Sequence, residues 1–263
     1  MNQIAHVVAS VWPGHRTVAE LHGSLPMGGF VHATPIHAFD VPAPQLRLQP
    51  RLELRPERRD IELGGLLAFV INDVLAEDEA DAIVTATERF GYQAAAPGIA
   101  TPPGMRMNKS VHWVADSELL EPLFNRIRHL LPTELDGMRL HGRLSQRINM
   151  YRYDEQDVFN PHIDGDWPGY GLSADRSQMI EWAGVRSGLS MLLYLNGPTD
   201  GVEGGSTHLY DMENQPTEII PKKGSALFFR HGLCDGSVLH QGCRVTGSVA
   251  KYVARINVLY EPN

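Results

Sequence analysis

The chain has 263 residues, 43% hydrophobic and 21% charged, enough to bury one sizeable core in a globular protein. A net charge of −8 without any lysine and arginine block disfavours a nucleic-acid partner, and no apolar run reaches membrane-spanning length. Two cysteines, Cys234 and Cys243, argue against a disulfide scaffold and for a reducing compartment.

The opening MNQIAHVVASVWPGHR lacks the basic and apolar regions of a signal peptide, so a cytoplasmic location is expected. Residues 1–60 hold seven of the eighteen prolines and five of the twelve histidines. They show no helical periodicity, and VPAPQLRLQPRLELRPERRD alternates apolar and polar residues between prolines. An N-terminal extension of extended, edge-like segments is expected there. Its histidines have no tight mutual spacing and read as surface or core residues.

Residues 61–263 read as one domain. GGLLAFVINDVL predicts a strand. AEDEADAIVTATERFGY predicts a helix over about 77–90: acids crowd its first turn, Ala80, Ile83, Val84 and Thr87 share a face, and Gly91 follows. DSELLEPLFNRIRHLLP predicts a second helix over about 117–131, with Leu119, Leu120, Leu123, Phe124, Ile127 and Leu130 as its stripe and Pro132 as its stop. From about residue 139 the period changes to two. RLSQRINMYRY, SGLSMLLYLN, GSTHLYD, TEIIPKKGSALFF and AKYVARINVLY are short β-prone runs between turn residues, which predicts an antiparallel sandwich or barrel. The fold class expected is α+β, mainly β, with the helices packed outside.

The stretch FNPHIDGDWPGYG sets His162 and Asp164 two apart, so on extended chain both point to one side. A neutral imidazole and a carboxylate suit Fe(II), Zn or Mn, and a facial triad needs one more histidine, from His208, His231 or His240. Only His240 precedes a strand carrying cations on one face. On that strand Lys251, Val253, Arg255 and Asn257 share one side, and Tyr252, Ala254, Ile256 and Val258 share the other. If the apolar side packs on the helices, the cations face inward, where burial calls for an anion such as a dicarboxylate.

In their order, NMYRYDEQDVFNPHIDGD, SMLLYLN, VEGGSTHLY, PKKGSALFFRHG, VLHQG and KYVARINVLY resemble the prolyl 4-hydroxylase-like branch of the iron(II)- and 2-oxoglutarate-dependent oxygenases. The resemblance covers roughly residues 60–260. It implies a double-stranded β-helix, a cupin-like jelly-roll. It also implies that His162, Asp164 and His240 form the iron triad, and that Lys251 and Tyr194 bind the far carboxylate of 2-oxoglutarate. Tyr153 matches a position lining the cosubstrate pocket, Thr207 is a weaker match, and Arg255 is a second candidate anchor. Ten residues separate His240 from Lys251 where relatives often have about one fewer, which leaves the choice between Lys251 and Arg255 open.

The cofactors implied are Fe(II), 2-oxoglutarate and O2, with ascorbate as an optional helper. The reaction implied is hydroxylation of an unactivated C–H bond in a small molecule, amino acid or peptide, releasing succinate and CO2. The rival readings are a non-catalytic metal and 2-oxoglutarate sensor of cupin type and a cytosolic peptidyl-prolyl hydroxylase. Candidate substrate contacts are Arg106 and Asn108 in PPGMRMNKSVHW, and Trp167, Tyr170 and Trp182 in the segment after the first ligands. Arg106 hints at an acidic group on the substrate. Oligomeric state is not legible in the sequence.

Overall fold

Period-two runs become strands whose alternate residues enter two different cores. The computed structural model describes residues 11–21, 33–94, 104–232 and 234–263. His6, His22 and His32 of the N-terminal extension, and Pro102 and Pro103 beside Arg106, lie outside these residues. The chain opens with strands β1 (His15–Leu21), β2 (Thr34–Phe39), β3 (Glu57–Asp60) and β4 (Ala68–Asn72), followed by helix α1 (Glu77–Phe90). Strand β5 (Lys109–Val114), helix α2 (Ser117–Ile127) and the short strands β6 (Glu134–Leu135) and β7 (Met138–Leu140) come next. Then follow β8 (Arg147–Tyr153), β9 (Phe159–His162), β10 (Pro168–Leu172) and the long β11 (Met179–Tyr194). The chain ends with β12 (Thr207–Tyr210), β13 (Pro216–Ile219), β14 (Ala226–Arg230), β15 (Leu239–Gly242) and β16 (Lys251–Pro262).

The major sheet runs β1-β2-β5-β8-β16-β11-β14-β4-β3, and the minor sheet runs β13-β12-β15-β9. Every pairing is antiparallel except β2 with β5. The proline-rich N-terminal segment supplies both outer strands, β1 and β3, where a missing N–H does least harm.

Alternation along β14 and β16 shows why two sheets form. Ala226, Phe228, Ala254, Ile256 and Val258 pack with Ile83, Leu119, Leu123 and Phe124 of the helices. Leu227, Phe229 and Val253 turn the other way and meet Leu209 and Ile219 of the minor sheet. The result is a jelly-roll with helices on one outer face, as expected from the period of two.

Acids at Glu77, Asp78 and Glu79 open α1, and Gly91 ends it with φ of 84°. The Glu79 carboxylate accepts the Ala76 N–H at 2.9 Å and is gripped by Arg126 of α2 at 2.7 and 2.8 Å, which locks the two helices together. Helix α2 is shorter than the sequence predicts. Its last turn tightens to a 3₁₀ segment over Arg128–Leu130, and Leu131 is extended (ψ 150°). The ring of Pro132 forbids a helical Leu131, so the helix unwinds before it.

Candidate active site

The pairing of β9 with β15 creates the centre. In that register His162 stands opposite His240, and their rings are 4.1 Å apart between centroids. Asp164 follows two residues after His162, with Oδ1 3.9 Å from His162 Nε2 and Oδ2 3.7 Å from His240 Nε2. One donor atom from each residue falls within 4.8 Å of the other two. Among the described residues no other group of three such side chains does so.

Backbone carbonyls orient both imidazoles. His162 Nδ1 lies 2.8 Å from Asn160 O, and His240 Nδ1 lies 3.2 Å from Val238 O. A carbonyl only accepts, so each Nδ1 carries the hydrogen and each Nε2 turns a lone pair toward Asp164. Burial, with His240 next, pulls the His162 pKa down to about 3, and burial lowers that of His240 as well. Burial works against the Asp164 carboxylate, but Arg255 and the histidines hold its pKa well below the usual range. Two neutral nitrogens and one carboxylate are therefore presented together, a donor set that fits Fe(II).

Asp164 is itself held from behind. Its Oδ2 forms an ion pair with Arg255 Nε at 2.8 Å and accepts Ser190 Oγ–H at 2.6 Å, while Arg255 Nε–H also donates to Ser190 Oγ at 3.3 Å. Ser190 Oγ is also 2.8 Å from His231 Nδ1, and His231 Nε2 is 2.8 Å from Ser187 Oγ, which accepts the Trp167 N–H at 2.8 Å. Because Ser190 donates to the carboxylate, it must accept from His231 Nδ1–H, and His231 Nε2 must accept from Ser187. The two serine hydroxyl hydrogens and the imidazole hydrogen of this buried chain then each have one acceptor. His231 stays neutral, its pKa drawn to about 3 by burial and then by Arg255.

A narrow cavity opens beside the triad, walled by Tyr151, Tyr153, Phe159, Leu192, Thr207, Gly242, Val253, Lys251 and Arg255. Lys251 is 1% exposed, and its ammonium meets no hydrogen bond or ion pair among the described residues. It lies 5.1 Å from the Tyr153 ring and 5.6 Å from the Tyr194 ring. Burial lowers its pKa to about 8. Tyr194 donates to Thr207 Oγ1 at 2.8 Å. Gly205 lets the backbone pass close by: its φ is +67°, and a Cβ there would sit 3.0 Å from Lys251 Cδ.

The residues named from sequence thus separate. His162, Asp164, His240, Lys251, Tyr153, Thr207 and Arg255 line one cavity, with Tyr194 against Lys251. Arg106 lies over Tyr151 and Phe159, and Trp167 and Tyr170 lie over Arg147. Asn108 bonds its neighbour's carbonyl. Trp182 is set apart from the cavity, against Gly169 and Gly171 with His141 and Arg143 beside it. His208 sits 3.9 Å from Glu218, outside the cluster.

Sequence reasoning missed Tyr151, Phe159 and Arg147, and the serines Ser187 and Ser190 that hold His231. For Tyr151 and Arg147 a signal was present: they alternate with Tyr153 along RINMYRY and share its face. The hydrogen-bonded serines carry none.

Fold and donor set together give a jelly-roll with a candidate metal centre between its sheets. Residues 148–259 match the family model of the 2OG-Fe(II) oxygenase superfamily. That stretch holds all three donors and Lys251, so the match spans the candidate metal site and the buried cation beside it. Two solved structures share its fold. One is the viral collagen prolyl hydroxylase of Paramecium bursaria Chlorella virus-1 in its 2OG complex, with TM-score 0.50, 19% identity, and coverage of 77% of this chain and 100% of that one. The other is a prolyl hydroxylase from Trichoplax adhaerens in complex with a hypoxia inducible factor oxygen degradation domain peptide fragment. Its TM-score is 0.51 at 17% identity, over 74% of this chain and 83% of that one. No curated protein matches the chain by sequence. No helix among the described residues is long and apolar enough to cross a membrane.

Proposed function

We propose that His162, Asp164 and His240 hold Fe(II), that Lys251 is the principal anchor of 2-oxoglutarate, and that the enzyme hydroxylates a C–H bond of a small molecule or peptide. The observation that carries this reading is the buried, unpaired Lys251 at one end of the cavity that holds the triad. A lysine without water or a counter-ion is costly, and the far carboxylate of a bound dicarboxylate removes that cost. Bound at the triad, Fe(II) with 2-oxoglutarate and O2 supplies oxidising power for inserting an oxygen atom into a C–H bond, with succinate and CO2 as co-products.

The chain's own residues do the positioning. Asn160 and Val238 carbonyls keep each Nε2 available as a donor. Ser190 and Arg255 fix Asp164 and hold it ionised. Thr207 receives the Tyr194 hydroxyl hydrogen, which fixes the ring that Lys251 lies over. Arg255, already engaged by Asp164, serves the metal end, so the cosubstrate anchor falls to Lys251. Both similar folds are named prolyl hydroxylases, which puts prolyl peptides among the substrates to try.

Anaerobic addition of Fe(II) and then 2-oxoglutarate should give a weak visible charge-transfer band only with both present, and under air succinate should form. A band that survives in His162→Ala would overturn the triad. A band without succinate, across amino acids, prolyl peptides and small acids, would make the protein a sensor.

A further inference from the structure

The inner face of the major sheet carries more positive charge than the metal and cosubstrate site uses. Strand register sets Tyr151 beside Ser110 and Val253, Asn149 beside His112 and Arg255, and Arg147 beside Val114. Arg147 therefore lies on the cavity side of β8, two and four residues before Asn149 and Tyr151. It is 8% exposed, with its guanidinium 5.1 Å from the Trp167 ring and 5.5 Å from the Tyr170 ring. Arg106 joins this space from the neighbouring loop. Its guanidinium is 4.9 Å from the rings of both Tyr151 and Phe159, which wall the cavity, and Phe159 stacks on His162 at 3.5 Å.

Neither arginine meets an acid among the described residues. The buried acids there are Asp164, engaged by Arg255, and Glu79, which sits with Arg126 between the helices. Buried N–H groups are left over: among the described residues, Nε and Nη2 of Arg106, Nε of Arg147 and Nη2 of Arg255 have no hydrogen-bond partner, although Arg147 also meets the Tyr170 hydroxyl. A buried donor left unpaired is costly, and more so when charged, so several of them around one space call for an acceptor. His112 does not fill that role. Its Nδ1 is engaged by Asn149 at 2.7 Å, and its Nε2, the acceptor of an imidazole kept neutral by burial and then by the fields of Arg147 and Arg106, bonds neither arginine.

We propose that the substrate presents a carboxylate to Arg106 and Arg147, in a subsite beside the metal centre bounded by Tyr151, Phe159, Trp167 and Tyr170. Nε and Nη2 form the side edge of a guanidinium, the edge that meets the two oxygens of one carboxylate in parallel. The flanking rings suit a flat or apolar body attached to that carboxylate, and the subsite lies at the opposite end of the site from Lys251. The inference rests on the metal and 2-oxoglutarate reading, because it treats the far end as occupied by cosubstrate.

The test loads the protein anaerobically with Fe(II) and saturating 2-oxoglutarate, so that added acids cannot occupy the Lys251 end. Propionate, benzoate, N-acetylglycine, N-acetylproline and acetyl-glycyl-proline are then titrated, each beside its primary amide, with tryptophan fluorescence as readout because Trp167 covers Arg147. At least one acid should bind saturably, with its amide about 10-fold or more weaker. Arg106→Gln and Arg147→Gln should weaken the acid about 10- to 100-fold, the factor carried by lost charge-assisted hydrogen bonds. The peptide acid and the N-acetyl amino acids separate a chain terminus from a free small acid as the source. Amides that bind as well as acids, a panel in which no acid saturates, or two glutamine variants that bind acids like the wild type would each overturn the subsite. The acid and amide comparison uses the wild-type protein, so it stands even if a variant fails to fold. A wild type that never forms the Fe(II) and 2-oxoglutarate band fails the underlying reading instead, and that failure is visible before any acid is added.

Discussion

Arg255 sets its Nε 2.8 Å from Oδ2 of Asp164, while Lys251, four residues earlier on the same face of β16, meets no anion among the described residues. The two cations of one strand face are therefore assigned different work by what stands opposite them. The register brings Arg255 beside Leu192 of β11, one turn of the pleat from Ser190, so it reaches the same carboxylate oxygen as that serine.

The first prediction follows from that division. Lys251→Ala should weaken 2-oxoglutarate about 10- to 100-fold with Fe(II) affinity little changed, since it removes one charge-assisted contact to the cosubstrate. Arg255→Gln should act first on Fe(II) affinity, by loosening Asp164. Anaerobic titrations of metal and cosubstrate separate the two, and equal 2-oxoglutarate affinity in Lys251→Ala and wild type would move the anchor elsewhere.

Lys251 also predicts a pH dependence. In the free pocket its pKa is drawn down to about 8 by burial. The dicarboxylate needs the ammonium form, so binding above that pH must take up a proton. Affinity should be flat with respect to this group below pH 8, and should fall toward about tenfold per pH unit above it. Lys251→Arg stays charged throughout and should lose that slope. A wild-type affinity that stays constant from about pH 7 to pH 10 removes Lys251 from the contact.

Ser190 and His231 predict a metal phenotype without touching the metal. Ser190→Ala deletes the hydroxyl that donates to Asp164 and leaves His231 Nδ1–H without its acceptor. Fe(II) affinity should fall by about 10-fold or more, in the range typical of groups that orient metal ligands. Ser190→Thr keeps the hydroxyl and should restore most of it. If both variants bind Fe(II) like the wild type, the chain from Ser187 to Asp164 only fills space.

The outer core should respond differently. Phe228 is fully buried on the helix side and stacks on Phe69 at 4.9 Å. Phe228→Ala should cost about 3–5 kcal/mol of stability in urea unfolding. The folded fraction should still give the charge-transfer band, because the triad lies on the other face of the sheet.

Much of this site was legible in the sequence because strands alternate. The two-residue spacing of His162 and Asp164 put them on one side, and the alternation of Lys251 and Arg255 with Ala254 and Ile256 set the cations on the face opposite the apolar one. Period two sorts side chains onto faces, and burial energy enforces the sorting. It does not say which strand lies opposite. The choice of His240 over His208 and His231 became geometry only when β15 paired with β9, a contact between residues far apart in the chain. Long-range pairing likewise joined Arg255 to Asp164 and seated Ser190 against His231. Local sequence determined the face of each side chain; only the closure of two sheets decided which faces meet.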